Sequence, residues 1–164
     1  MGGVAQFMHV SQERFREDWQ DAFENLPLPE LPPLPRRATA GSAGYDFFSP
    51  LAFRLEPGQG LRIPTGVRAR IDDGWVLMLF PRSGLGFKYR LQLNNTVGIV
   101  DADYFGARNE GHIFIKLTNA GDRPLSVAAG EAFAQGVFLP FGLTEDDAAE
   151  GERVGGFGST GGGQ

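Results

Sequence analysis

Cysteine is absent from the 164 residues, which removes disulfides, thiolate metal sites and a cysteine nucleophile. Histidine occurs only twice, as His9 and His112, too few for a histidine-based metal centre. No apolar run reaches the length that spans a bilayer, and Met1 is not followed by a basic segment and an apolar leader. The chain is therefore expected to be soluble and cytoplasmic, with no membrane partner. A basic surplus is missing too. Lys and Arg number 15 against 20 Asp and Glu, a formal net charge of −5, which argues against nucleic-acid binding. An anionic ligand must then be met by a local cluster of cations. The length suits one domain with a real core.

What is present divides into three parts. Residues 11–26 read as an amphipathic helix, because Phe15, Trp19, Phe23 and Leu26 recur at helical spacing. Ser11 is the expected N-cap with Glu13 in the first turn, while Asp18, Asp21 and Glu24 face the other way. The stripe is expected to dock on the rest of the chain. Pro27 to Pro35 is proline-dense and should run as an extended spacer. From Ala38 onward, short apolar runs alternate with Gly, Pro and Asp turns. The clearest are Leu61–Ile71, Trp75–Phe80, His112–Thr118 and Phe133–Phe141, with Ile113, Ile115 and Leu117 on one face. This predicts an all-β sandwich or barrel, with one short helix after Pro81-Arg82-Ser83-Gly84. No repeat and no dinucleotide fingerprint is found.

The chemistry sits between the strands. A strand that ends in Arg82-Ser83-Gly84 and starts a helix brings N–H groups, a hydroxyl and a guanidinium to one point, a reasonable phosphate cradle. A helix cap explains Ser83 equally well. After the apolar run Gly98-Ile99-Val100, Asp101 and Asp103 are expected to project from one side of an extended segment. Asp101 could then deprotonate a water, or Asp103 could cap its own turn. Asp46 lies in another turn, and Gln135 supplies an amide. The last residues hold Arg153, Phe157, Gly158, Ser159 and Thr160 among many glycines. Such an arm suits a mobile cover that closes over an anion: glycine N–H groups and two hydroxyls for phosphate oxygens, a cation, and an aromatic face for a planar ring. A disordered terminus is the alternative.

Taken together, five segments resemble the motifs of the trimeric all-β dUTP pyrophosphatases (dUTPases), in order. They are Ser42 to Asp46, Pro81 to Leu85, Gly98 to Tyr104, Gly130 to Gln135 and Gly155 to Gly161. The resemblance covers about Pro35 to Gly162. It implies a dUTPase-like β-barrel or jelly-roll-type sandwich over 35–150, preceded by the helix and connector of 1–34 and followed by a Gly-rich lid over 151–164. It also implies hydrolysis of dUTP to dUMP and pyrophosphate, which limits uracil incorporation into DNA and supplies dUMP for thymidylate synthesis.

Residue roles follow from the same resemblance. Asp101 would be the general base, and Tyr104 would pack under the deoxyribose and exclude a 2′-hydroxyl. Asn95, Gly98 and the hairpin backbone at Ile99 and Val100 would pair with uracil. Arg82, Ser83, Gly84 and Gln135 would hold phosphates. Phe157 would stack on the base while Arg153, Gly158, Ser159 and Thr160 grip the γ-phosphate. Mg2+ would be carried by the triphosphate and water, with Asp46 reaching it at most through a water. The site would be shared among the subunits of a homotrimer. Three departures stand out: Arg153 lies one position closer to the Gly-Gly-Phe run than in many members, the loop Phe105 to Gly111 lengthens a hairpin, and Phe133 replaces an aliphatic residue. Three alternatives remain open, a regulatory dUTPase-like binding protein, a dCTP deaminase and a purely structural β-sandwich, the last of which has no need of Arg82, Ser83, Gly84, Asp101 and Phe157 together. Against the deaminase, Lys116 stands where that family places a catalytic glutamate.

Overall fold

In the computed structural model, which describes residues 2–153 and 155, the strands follow side-chain alternation. Strand β1 (Ala5–His9) and helix α1 (Gln12–Ala22) come first, then β2 (Arg36–Arg37), β3 (Tyr45–Phe48) and β4 (Phe53–Leu55). Strands β5 (Gly60–Pro64), β6 (Val67–Ile71) and β7 (Trp75–Pro81) lead into helix α2 (Ser83–Tyr89). After β8 (Leu91–Leu93) and β9 (Gly98–Val100), a 3-10 turn over Ala102–Gly106 precedes β10 (Phe114–Asn119), β11 (Leu125–Val127) and β12 (Ala132–Pro140). The fold is all-β, as expected. Its largest sheet has the order β2-β3-β12-β7-β9, and a second runs β5-β10-β8. Two-stranded pairs β1-β6 and β11-β4 complete the layers. No closed barrel is formed among the described residues.

Burial alternates as the pleat requires. Val67, Ala69 and Ile71 of β6 point inward between Arg68 and Arg70, and Ile113, Ile115 and Leu117 are buried together. At β12 the register against β3 shifts between Ala132 and Ala134, and this bulge turns Phe133 wholly into the core, edge-on to Phe53. Packing is thus sufficient to account for the aromatic residue there.

Two expectations are corrected. The run Leu61–Ile71 is not one strand but two, broken at Gly66, whose φ of +75° is a left-handed conformation that glycine adopts without strain. A Cβ at Gly66 would lie 2.6 Å from Leu31 Cδ2. The helix is also shorter than its apolar stripe: Phe23 is its C-cap and Leu26 is exposed.

The N-terminal segment is integrated into the fold. Strand β1 pairs along β6 from Ala5↔Ile71 to His9↔Val67. Ser11 caps α1 by accepting from Arg14 N–H, and Phe15 and Trp19 are 0% and 1% exposed against Val10. The N-cap is tied to the lengthened loop, since Glu110 accepts from Ser11 N–H at 2.9 Å and from its hydroxyl at 2.7 Å. Among the described residues no helix is long and apolar enough to cross a membrane.

Two outcomes follow. Phe15→Ala should cost about 3–5 kcal/mol in urea unfolding, whereas a merely appended helix would leave the transition unmoved. The Glu110 carboxyl titrates below its ordinary value of 4.5: partial burial, the largest influence, raises it, but the Ser11 hydrogen bonds and the Arg68 and Arg14 charges together outweigh that and lower it. A depressed folded-state value means its stabilisation is present above pH 4.5 and is lost as pH falls through the folded value. Glu110→Gln should remove that part of the acid dependence of Tm, and an unchanged acid profile would count against the tether.

Candidate active site

Sheet register assembles the first part of the site. Gln135 on β12 stands opposite Asp46 on β3 and Phe80 on β7, so the ends of three neighbouring strands meet at Arg82. Arg82 Nε lies 3.3 Å from Asp46 Oδ1, and Gln135 Nε2 donates to the Pro81 carbonyl at 3.1 Å. Gly44 permits this closeness, because a Cβ there would sit 2.3 Å from Gln135 Oε1. These residues line a cavity of ≈ 380 Å³ together with Ser42 and Ser83. The N-cap of α2 is Arg82, which makes no side-chain cap bond; Ser83 is the first helical residue. Gly84 does not line the cavity, and open space lies where its Cβ would be. Asp46 is on a strand, not in the turn expected for it.

A second, larger cavity of ≈ 580 Å³ forms beside the β9 hairpin. Its wall is Leu79, Leu93, Asn94, Asn95, Gly98 and Phe114, with Asp18, Arg62, Asn109 and Lys116 also lining it. Gly98 packs so tightly that a Cβ would lie 2.9 Å from Leu79 Cβ. Asn94 N–H donates to Lys116 O, which ties the end of β8 to β10. Ile99 and Val100 do not line the cavity: Ile99 is half exposed and Val100 is buried in the core. Strand β9 is, however, an edge strand of its sheet, so part of its backbone stays available for pairing.

The carboxylates occupy a third place. The segment after Val100 is a 3-10 turn with Asp101 at its N-cap, not the extended run expected from sequence. Neither carboxylate caps that turn. Both instead face Arg153, whose Nη2 is 2.6 Å from Asp101 Oδ2 and whose Nε is 2.8 Å from Asp103 Oδ1. The guanidinium also stands 5.7 Å over the Tyr104 ring. Tyr104 is 1% exposed, donates to His112 O and accepts from Asn109 Nδ2. Asp101 and Asp103 line a concavity of ≈ 430 Å³ with Asp73 and Phe141. Phe157, Gly158, Ser159 and Thr160 lie outside the described residues.

The three concavities share no lining residue. Sequence reading placed Asp18 on the outward face of α1, yet it lines the hairpin cavity and meets His112. That contact spans 94 residues, and no local pattern announces it. Phe114 was visible only as part of the return strand.

The dUTPase family model matches residues 32–161. Over 131 residues the chain is 41% identical to the deoxyuridine 5′-triphosphate nucleotidohydrolase of Lactococcus lactis, covering 78% of this chain and 87% of that protein. Among solved structures, the dUTPase of Streptococcus mutans superposes with a TM-score of 0.63 at 36% identity, covering 85% and 98% of the two chains. The dUTPase of S. aureus phage phi11, whose structure coordinates a structural Mg(II) ion, superposes at 0.64 with 23% identity over 91% and 98%. At that identity the likeness speaks for the fold alone. With the motif residues gathered at strand ends and the match running through the β domain, the chain belongs to the dUTPase family and is a dUTP nucleotidohydrolase that forms dUMP.

Proposed function

We propose that the three separate concavities are the parts of one site, completed between the subunits of a homotrimer that works in the cytoplasm. The single observation behind this is their lack of any common lining residue on one chain. Symmetric association brings different faces of identical chains together. The ≈ 580 Å³ cavity takes uracil, with Asn95, Gly98 and the backbone about Ile99 and Val100 as its hydrogen-bonding edge. Such a built edge rejects bases that leave it unpaired. Tyr104, fixed by His112 and Asn109, closes the space below the sugar and excludes a 2′-hydroxyl.

Arg82, Ser83, the Gly84 N–H and Gln135 hold phosphate oxygens in the smaller cavity. Asp101 takes a proton from water as the water oxygen attacks the α-phosphorus. The bond to the bridging oxygen breaks and pyrophosphate leaves. Arg153 pairs with Asp101. Transfer of that cation to the triphosphate, with Phe157 stacking on the base and Gly158, Ser159 and Thr160 on the γ-phosphate, frees the base only when substrate is present. Charge neutralisation then carries most of the rate.

Among the described residues no group of three or more His, Cys, Asp or Glu is placed to hold a metal, and Asp46 is already engaged by Arg82. That donor set fits Mg2+ carried by phosphate oxygens and water, with Asp46 reaching it through a water. Mg2+ would supply charge neutralisation to the phosphates.

Asp101→Asn should lower kcat by roughly 10²-fold or more while dUMP affinity stays within tenfold. Pyrophosphate release and calorimetry measure the two, and retained turnover would remove Asp101 from its role. Subunit mixing tests the sharing. Asp101→Asn and Arg82→Ala chains, each inactive, should recover roughly a quarter of wild-type activity when refolded together in equal amounts. No recovery from a mixed oligomer would place the whole site on one chain.

A further inference from the structure

We propose that Asp18 of helix α1 is a positioning residue of the base cavity, acting through the buried imidazole of His112. This rests on the reading of that cavity as the uracil site. His112 is 0% exposed. Its Nε2 accepts the Gly66 N–H at 2.8 Å, so that nitrogen must present a lone pair. The proton is therefore on Nδ1, which donates to Asp18 Oδ2 at 2.6 Å. The other Asp18 oxygen faces Arg14 at 3.5 Å, which leaves Oδ2 for the ring. A carboxylate on α1 thus selects one tautomer and one ring orientation.

The consequence reaches the substrate. The His112 carbonyl accepts from Tyr104 OH, and its N–H donates to Asn109 O. The ring lies 4.7 Å from that of Phe114, which shares the cavity wall with Asn95 and Gly98. Fixing His112 therefore fixes both the cavity wall and the tyrosine hydroxyl. Asp18 precedes every motif segment of the chain. Helix α1 is thereby a working part of the nucleotide site, and the base cavity shares no lining residue with the concavity of Asp101. Loss of the contact should weaken binding in ground and transition states alike.

Steady-state hydrolysis by the full-length protein is the test, with His ring nitrogens followed by 15N NMR. Asp18→Ala should raise KM for dUTP roughly tenfold with kcat within threefold, and the single His112 tautomer should be lost. Asp18→Asn, whose amide oxygen still accepts from Nδ1–H, should restore both. Ser11→Ala loosens the same helix at its Glu110 tether and should lower Tm with KM unchanged. A folded Asp18→Ala protein with wild-type KM would overturn the proposal, as would a Ser11→Ala protein with an equal rise in KM. Should Asp18→Ala not fold, the wild type decides: saturation with dUMP should shift the His112 ring signals, and unmoved signals would overturn the proposal. Asn95→Ala serves as the separate check. If it leaves KM unchanged the cavity reading itself fails; if it raises KM and Asp18→Ala does not, only the role of Asp18 fails.

Discussion

One buried imidazole constrains much of this molecule. His112 has no contact with solvent, and an unpaired buried nitrogen would cost about 1–3 kcal/mol. Both of its ring nitrogens are paired, to segments far away in sequence: Gly66 at the corner between β5 and β6, and Asp18 on α1. The corner itself needs glycine for its positive φ, and its carbonyl accepts from Val10 N–H. Thr65 beside it donates its hydroxyl to Ile113 O. The N-terminal segment, the β5–β6 corner and the start of β10 are thereby locked to one another. The cavity lined by Asn95 and Gly98 is built on the last of these.

The electrostatics of the site follow a different logic. The chain carries a net charge of −5, yet its ligand is a polyanion, so attraction must be local. In the described structure the two arginines of the site already have carboxylate partners, Arg82 with Asp46 and Arg153 with Asp101 and Asp103. Partly exposed pairs of this kind are worth about 0–1 kcal/mol. A triphosphate offers each guanidinium more charge and bidentate oxygens. In the proposed mechanism exchange of partners is therefore favourable.

Much of this was legible in the sequence, for identifiable reasons. Alternation in Ile113, Ile115 and Leu117 announced a half-buried strand because the pleat has period two. Ser11 and the spacing of Phe15 and Trp19 announced α1, since caps and stripes are local signals. That Arg82, Ser83 and Gln135 line one cavity was readable because they sit within recognisable motifs. Illegible features share one property: they depend on contacts between distant segments. Strand β1 has an exposed, weakly alternating pattern and is made a strand by its partner β6. The break at Gly66 inside an apolar run is a positive φ, closed over by Leu31 of the distant proline-rich connector. Asp18 reads as a solvent-facing acid on a helical wheel, and only the third dimension turns it toward His112.

The arrangement of the two carboxylates bears on how hydrolysis is kept specific. A general base that stood ready without substrate would gain nothing, but its burial beside an anionic ligand would cost repulsion. With Arg153 on Asp101 at 2.6 Å, the carboxylate is neutralised, and in the proposed mechanism a competing triphosphate draws the guanidinium away. A diphosphate or monophosphate draws it less strongly, because fewer oxygens compete for the same fork. In the proposed mechanism the cation that meets the γ-phosphate is thus also the one that controls access to Asp101. In the same mechanism the uracil edge holds the nucleotide bound while that exchange occurs. Under the proposed mechanism, base identity and phosphate length are required together before a proton moves, so that a site with one carboxylate base discriminates among nucleotides that differ by a single group.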